Sequence, residues 1–415
     1  MPPTDAPADT TPTADAPGAT APAASGASRA SGVLLVLGFV LLSLNTRVAF
    51  GQLGPLAPVA GWGAGTVTLL ALLPPLCMGL FAPLGALARR RLGEERGLFW
   101  ASVLLLAGAV LRTAGLPGLY AGTVLVGAAV AVVNVLVPVF VRARFAPRRI
   151  GTMTGVYALS MGAGSAAVAA LVAPVANAWS WQAAIALAVV PAALAAAGLV
   201  PQLRTARRPA GPAAPGGRRR VGRTALAWSL TAFFGAQTLV FYATLAWLPT
   251  VLVDAGVSRT AAGTDQAVLI LGLAVGGFLA PTLAAARNDQ RPYLLGVVAV
   301  CVLGLVGVVL APAGGAPLWA AVLGTGMGGG QALAAVLFAR RGTDPEHVAA
   351  LSTMAQTWGY LLAATGPALV AALRTASGSW TAPLLAMTGL LLAGGALGLR
   401  AGRDVTNPRR DPSDR

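Results

Sequence analysis

VLLVLGFVLLSLNTRVAFGQLGPLAPVA, residues 33–60, decides how the chain is read. The stretch is apolar enough to cross a bilayer, whose hydrocarbon core takes about 20 such residues. Asn45 and Arg47 nevertheless fall near its middle, which puts a guanidinium close to the membrane midplane. That group stays protonated at any biological pH. Holding it at membrane depth costs from roughly 2.5 to more than 10 kcal/mol, so such a residue faces a wet cavity and meets a negative partner. The other hydrophobic segments carry no carboxylate at similar depth. The expectation is that the missing counter-charge is a ligand that comes and goes.

Composition agrees with a membrane setting. The 415 residues are 56% hydrophobic and 10% charged, against about 25% charged in soluble domains. A net charge of +16 suggests nucleic acid until the charges are placed. All 29 basic residues are arginine, in short loops between apolar runs, and no soluble basic face remains for DNA or RNA. Cys77 and Cys301 lie inside apolar runs and read as buried free thiols, and the single histidine, His347, has no ligand partners at zinc-binding spacing. GTGMGGGQ (324–331) lacks the Lys-Ser/Thr ending of a phosphate-binding loop; its glycines suit close helix approach instead. No metal, cofactor or nucleotide site is expected, and no nucleophile–base pair points to an enzyme.

Residues 1–32, rich in Pro, Ala, Thr and Gly, read as a disordered tail. Twelve apolar spans follow, at 33–58, 65–88, 97–115, 117–141, 150–175, 181–200, 224–252, 261–286, 292–311, 317–339, 347–373 and 379–400. The basic, Pro/Gly-rich segment 201–223 divides them six and six, giving bundles over 33–200 and 224–400 and a second tail over 401–415. Arginines mark cytoplasmic loops. Alternate loops place 25 of the 29 on one side, leaving Arg112, Arg259 and Arg374 on the other and Arg47 within a span. Both termini are therefore expected in the cytoplasm, with the chain multi-pass in the inner membrane.

The halves repeat weakly. Gly127 precedes Asn134 by seven residues, with Arg142 and Pro147 beyond; Gly324 precedes Gln331 by seven, with Arg340 and Pro345 beyond. Leu56-Ala57-Pro58 matches Trp247-Leu248-Pro249, and counting back sets Gln237 and Thr238 opposite Thr46 and Arg47. Parallel six-span repeats with a midplane site between them are a transporter architecture. The expected fold class is an all-α membrane protein of twelve transmembrane helices in two pseudo-symmetric six-helix bundles.

GALARRRLGEERG (85–97) resembles the cytoplasmic loop signature of the major facilitator superfamily, with arginine where the aspartate is usual. More specifically, LNTRVAFGQLGPLAPV (44–59), LPPLCMGLFAPLGALARRRLG (73–93), VNVLVPVFVRARFAPRRIGTMTGVYALSMG (133–162) and FFGAQTLVFYATLAWLPTVLVDAGVS (233–258) resemble its CynX/NimT branch. The family's usual Asn-Leu-Arg-Pro reads Asn45-Thr46-Arg47-Val48 here, and loss of that proline predicts a straighter first span. The resemblance implies a central cavity lined by spans one, four, seven and ten. On that basis Asn45, Arg47, Asn134, Gln237 and Gln331 are the candidate substrate-binding residues. Tyr157, Tyr242, Gln356, Trp358 and Tyr360 are candidates for the cavity wall.

Each has a plainer reading. Buried amides are ordinarily helix–helix hydrogen bonds, aromatics are packing, and Arg112, Arg259 and Arg374 sit near span ends where snorkelling suffices. Asp265 is the acidic residue nearest a membrane position, although AAGTDQ reads as a helix start. The expected activity is secondary transport of a small anionic or polar planar solute by a monomer in the lipid bilayer. A cyanate-like anion, a carboxylate or a nitro-heterocycle each satisfies the same physics. The alternatives are an efflux carrier for larger compounds and a non-transporting receptor.

Overall fold

Length and apolarity of each run dictate the helices, and the computed structural model of the chain describes residues 25–53, 56, 60–204, 206, 221–285 and 287–403. Most of the expected first tail, the central basic segment, Pro58 and the last twelve residues lie outside these. In the first half, α1 (Ser25–Asn45) and α2 (Val48–Gly51) form span one, followed by α3 (Ala64–Leu92), α4 (Glu94–Leu111), α5 (Gly115–Arg144) and α6 (Ile150–Ala178). Span six is also broken, into α7 (Trp181–Ala186) and α8 (Val189–Leu203). The second half comprises α9 (Ala225–Asp254), α10 (Arg259–Ala284), α11 (Arg291–Leu310), α12 (Ala316–Arg341), α13 (Pro345–Ser377) and α14 (Thr381–Gly402). Helix α1 starts at Ser25, ahead of the apolar run, within the stretch expected to be a tail.

Among the described residues, ten segments are long and apolar enough to cross a membrane. The other two spans are α4, which opens on Glu94-Glu95-Arg96, and α13, which carries Ser352, Thr353, Gln356 and Thr357. Packing repeats between the halves. Span one lies against spans five and six, two against four, and three against four and six; spans seven to twelve reproduce each pairing. The halves meet chiefly where α3 packs on α13 and α6 on α10.

Local chemistry sets the helix ends. Ser180, Thr224, Ser258 and Asp344 cap α7, α9, α10 and α13 by accepting from the backbone three residues on. Burial alone would raise the Asp344 carboxyl. Hydrogen bonds from the His347 and Glu346 amides and the Thr343 hydroxyl, with His347 nearby, outweigh it and hold the group below the usual carboxylate range. The cap's contribution is therefore present above the ordinary carboxylate pKa and lost as pH falls through the lower folded value. Gly93, at φ +80°, turns the chain between α3 and α4 in one residue.

Glycine also sets how closely α10 and α12 approach. A Cβ on Gly276 would lie 1.8 Å from the Thr325 carbonyl oxygen, and one on Gly328 2.0 Å from that of Leu273. Both obstacles are backbone, so no side chain can rotate away. Gly276→Val is expected to force the helices apart at a cost of at least about 1–3 kcal/mol. The readout is loss of the monodisperse peak on size-exclusion chromatography; an unchanged peak and melting temperature would refute tight packing here.

Candidate functional site

Span one breaks where its polar residues fall. Helix α1 ends at Asn45, Thr46 and Arg47 form a turn, and Arg47 becomes the N-cap of α2. The straighter span expected from loss of proline is thus corrected. The Ser43 and Thr46 hydroxyls bond back to the carbonyls of Phe39 and Leu42, a pattern that bends helices without proline. Irregular backbone at membrane depth is tolerated where it is buried in protein or lines an aqueous cavity, and Arg47 does line one.

That cavity, of about 1260 Å³, lies between the halves. It opens toward the end away from the arginine clusters, between Leu53 and Val67 on one side and Trp247 and Gly263 on the other. Toward the arginine-rich end it narrows to Pro138, Thr154 and Phe338. Beyond that floor, Arg142 of α5 donates to the carbonyl oxygens of Ala339 and Thr343 across the two halves, the latter at 3.1 Å. Its repeat counterpart Arg340 stays within its own half, donating to Arg287 and Ala285.

Around Arg47 the partners are neutral. Its Nη2 donates to Gln331 Oε1 at 3.4 Å, and its guanidinium carbon stands 5.4 Å from the centroid of Phe241, within cation–π range. No carboxylate of the described residues forms an ion pair with it. Gln331 Nε2 is buried without a hydrogen-bond partner. Tyr157 donates to Asn134 Oδ1 at 2.9 Å, and Asn134 Nδ2 donates to Tyr360 at 3.3 Å. Gln356 donates to the Asn134 carbonyl at 3.0 Å and to Ser352 Oγ at 2.8 Å. Tyr242 completes the polar wall.

The structure thus gathers Arg47, Asn134, Tyr157, Tyr242, Gln331, Gln356 and Tyr360 on one cavity. It does not bring Asn45, Gln237 or Trp358 there. Asn45 is buried with both amide atoms unpartnered. Gln237 points into the second bundle, accepting from Cys301 Sγ at 3.8 Å and lying where a Cβ on Gly330 would be. The cavity face of α9 runs through Phe234, Phe241, Tyr242 and Leu245, and at 3.6 residues per turn Gln237 lies about 80° from the centre of that face. Trp358, two residues from Gln356, is 55% exposed on the opposite face of α13.

Other residues differ from their sequence reading. Arg112 does not snorkel: it is wholly buried and donates to Gln52. Asp265 lies in the second turn of α10 and is buried, not part of its start. Arg374 behaves as a span-end cation, 3.9 Å from Asp254 and over Trp380. Glu95, absent from the sequence argument, pairs with Arg144 beside the turn that lacks the usual aspartate. The aromatic wall of Phe234 and Phe241 also escaped that argument, because an apolar residue in an apolar helix carries no distinguishing signal.

The Asn134 network is testable by itself. Asn134→Leu leaves two tyrosine hydroxyls with lost partners and is expected to cost about 1–3 kcal/mol, read as a lower melting temperature in detergent. No change would show that the network adds nothing to stability.

The family model described as Major Facilitator Superfamily matches residues 35–367. The chain is 35% identical over 387 residues to the 2-nitroimidazole transporter of Escherichia coli (strain K12), covering 92% of this chain and 97% of that one. It is 27% identical over 378 residues to the cyanate transport protein CynX of the same organism, covering 87% and 95%. Among solved structures it is similar to FucP in the outward conformation, with TM-score 0.70 at 12% identity, covering 89% of this chain and 98% of that one.

Proposed function

The chain is a major facilitator superfamily transporter of the CynX/NimT type, and from that premise we propose that Arg47 holds a small anionic or strongly polar planar solute at a central site during alternating access. One observation carries the proposal: the Arg47 guanidinium faces a cavity and meets Gln331, Tyr360 and Phe241 but no carboxylate of the described residues. Its fixed fork of donors suits a carboxylate, a nitro group or a small linear anion. Gln331 Nε2 offers a further donor beside it, and the tyrosine hydroxyls and Phe241 supply a polar rim and a flat face.

The arginine distribution supports a cytoplasmic location for both termini and the arginine-rich end, in the inner membrane. The cavity of this conformation then opens outward, and Arg142 closes the cytoplasmic side. Rocking of the halves about the site would reverse that access. The proposal takes the protein as a monomer in the lipid bilayer. The relatives' names point to 2-nitroimidazole and cyanate as first solutes to try.

The cavity also favours a second reading. Its upper wall, with Ile270, Leu273, Ala364 and Pro367, is apolar and could take a larger body, as an efflux carrier for apolar compounds would need. A melting-temperature screen of purified protein with cyanate, benzoate and 2-nitroimidazole, followed by flux in proteoliposomes, separates the two. The proposal expects stabilisation and flux by one of these solutes, both lost in Arg47→Ala. Export of large apolar compounds that survives Arg47→Ala would favour efflux, and absence of any flux would overturn transport at this site.

A further inference from the structure

Gln52 and Arg112 form a buried link outside the cavity wall. Gln52 is the C-cap of α2, five residues past Arg47, and both it and Arg112 are wholly buried. Gln52 Oε1 accepts from Arg112 Nη1 at 2.9 Å, while its Nε2 donates to the carbonyls of Ala184 at 2.8 Å and Ile185 at 3.1 Å. The chemistry permits one orientation. A guanidinium has no acceptor and a carbonyl no donor, so a flipped amide would oppose all three partners.

The surroundings are built for this arrangement. Arg112 is the C-cap of α4, and Ala184 and Ile185 are in the last turn of α7. A cation is favoured at a helix C-terminus, and the polarised amide carries that charge to a second one. Gly122 of α5 leaves room for the side chain, since a Cβ there would lie 2.6 Å from Arg112 Cγ. Helix α2 has four residues, too few to hold a direction alone. The break at Thr46–Arg47 uncouples it from α1.

We propose that Arg112 is a positioning residue for the solute site: acting through Gln52, it fixes the depth and rotation of α2 and hence of Arg47 at the other end of that helix. The inference rests on the reading of Arg47 above, but its first test does not. Phe50, on α2, lines the cavity. In full-length protein carrying Phe50→Cys, the rate of modification by a charged methanethiosulfonate reports where α2 points; Cys77 and Cys301 are buried and provide the background. Arg112→Met and Gln52→Glu are expected to change that rate severalfold, and Arg112→Lys, which keeps a donor for Gln52 Oε1, to restore part of it. The second readout is the KM for benzoate or cyanate, whichever the unaltered protein carries. It is expected to rise by roughly ten- to a hundredfold with a smaller change in Vmax, the size set by misplacing a binding group by about 1 Å.

An unchanged modification rate in folded Arg112→Met and Gln52→Glu proteins overturns the proposal, whatever the solute. Misfolding of Arg112→Met combined with an unaltered Gln52→Glu profile also overturns it, because Arg112 would then serve only the fold. If none of cyanate, benzoate and 2-nitroimidazole is carried, the reading of Arg47 fails while the modification rates still decide the positioning role.

Discussion

Arg47→Gln will lower the affinity for a transported anion by about 30- to 4000-fold, corresponding to the 2–5 kcal/mol lost on truncating one side of a buried charged hydrogen-bonded pair. Glutamine keeps a donor and much of the length while removing the charge. The large effect follows from the surroundings: the guanidinium meets Gln331, Phe241 and the Tyr360 hydroxyl, and none of these neutral groups supplies a negative charge that could substitute. Arg47→Lys should fall between the two, because it keeps the charge and loses the planar fork. The measurement is a concentration series of anion uptake in proteoliposomes. Equal affinities in Arg47→Gln and the unaltered protein would mean that the solute binds elsewhere.

A second large effect is expected from Gly151→Val. Gly151 lies in the first turn of α6, against the end of α10 across the two halves. A Cβ there would be 2.1 Å from the Pro281 carbonyl oxygen and 2.5 Å from the Ala285 methyl. On the proposed rocking of the halves these helices separate as the arginine-rich end opens, and the obstacle goes with them. Overpacking of this kind costs about 1–3 kcal/mol, and placed on one of two conformations it shifts their ratio about 5–150-fold. Ser165 lines the open cavity, so a Ser165→Cys reporter should be modified from the open side far more slowly in Gly151→Val. Arg142→Ala should act in the same direction more weakly, removing donors to Ala339 and Thr343 rather than adding bulk. Faster modification in the glycine variant would place the contact in the wrong state.

These expectations show which features were readable in the chain. The twelve helices in two bundles and the cavity position of Arg47 follow from run length and a single misplaced charge, signals that survive without tertiary information. The GTGMGGGQ reading also holds in its physical content, since Gly324 and Gly328 do lie against carbonyls of α10. Rotation about the helix axis was not readable. Counting back from a proline placed Gln237 at the level of Arg47 but left its azimuth open, and it turned toward Cys301 instead. Trp358 failed for the same reason. Arg112 was misread because a position near a span end says nothing about what covers it; Gln52, Gly122 and the end of α7 do so. The break in span one lacked its usual proline, and the side-chain bonds of Ser43 and Thr46 are visible only once the backbone is placed.

The central claim is that the solute supplies the negative charge that Arg47 lacks. The most direct measurement is a structure of the protein with 4-bromobenzoate, located by the anomalous signal of bromine. The account predicts a carboxylate oxygen within about 3.2 Å of an Arg47 Nη atom, with Gln331 re-aimed to donate to it. Bromine found elsewhere, with Arg47 still donating to Gln331 and the carboxylate out of reach, would contradict it.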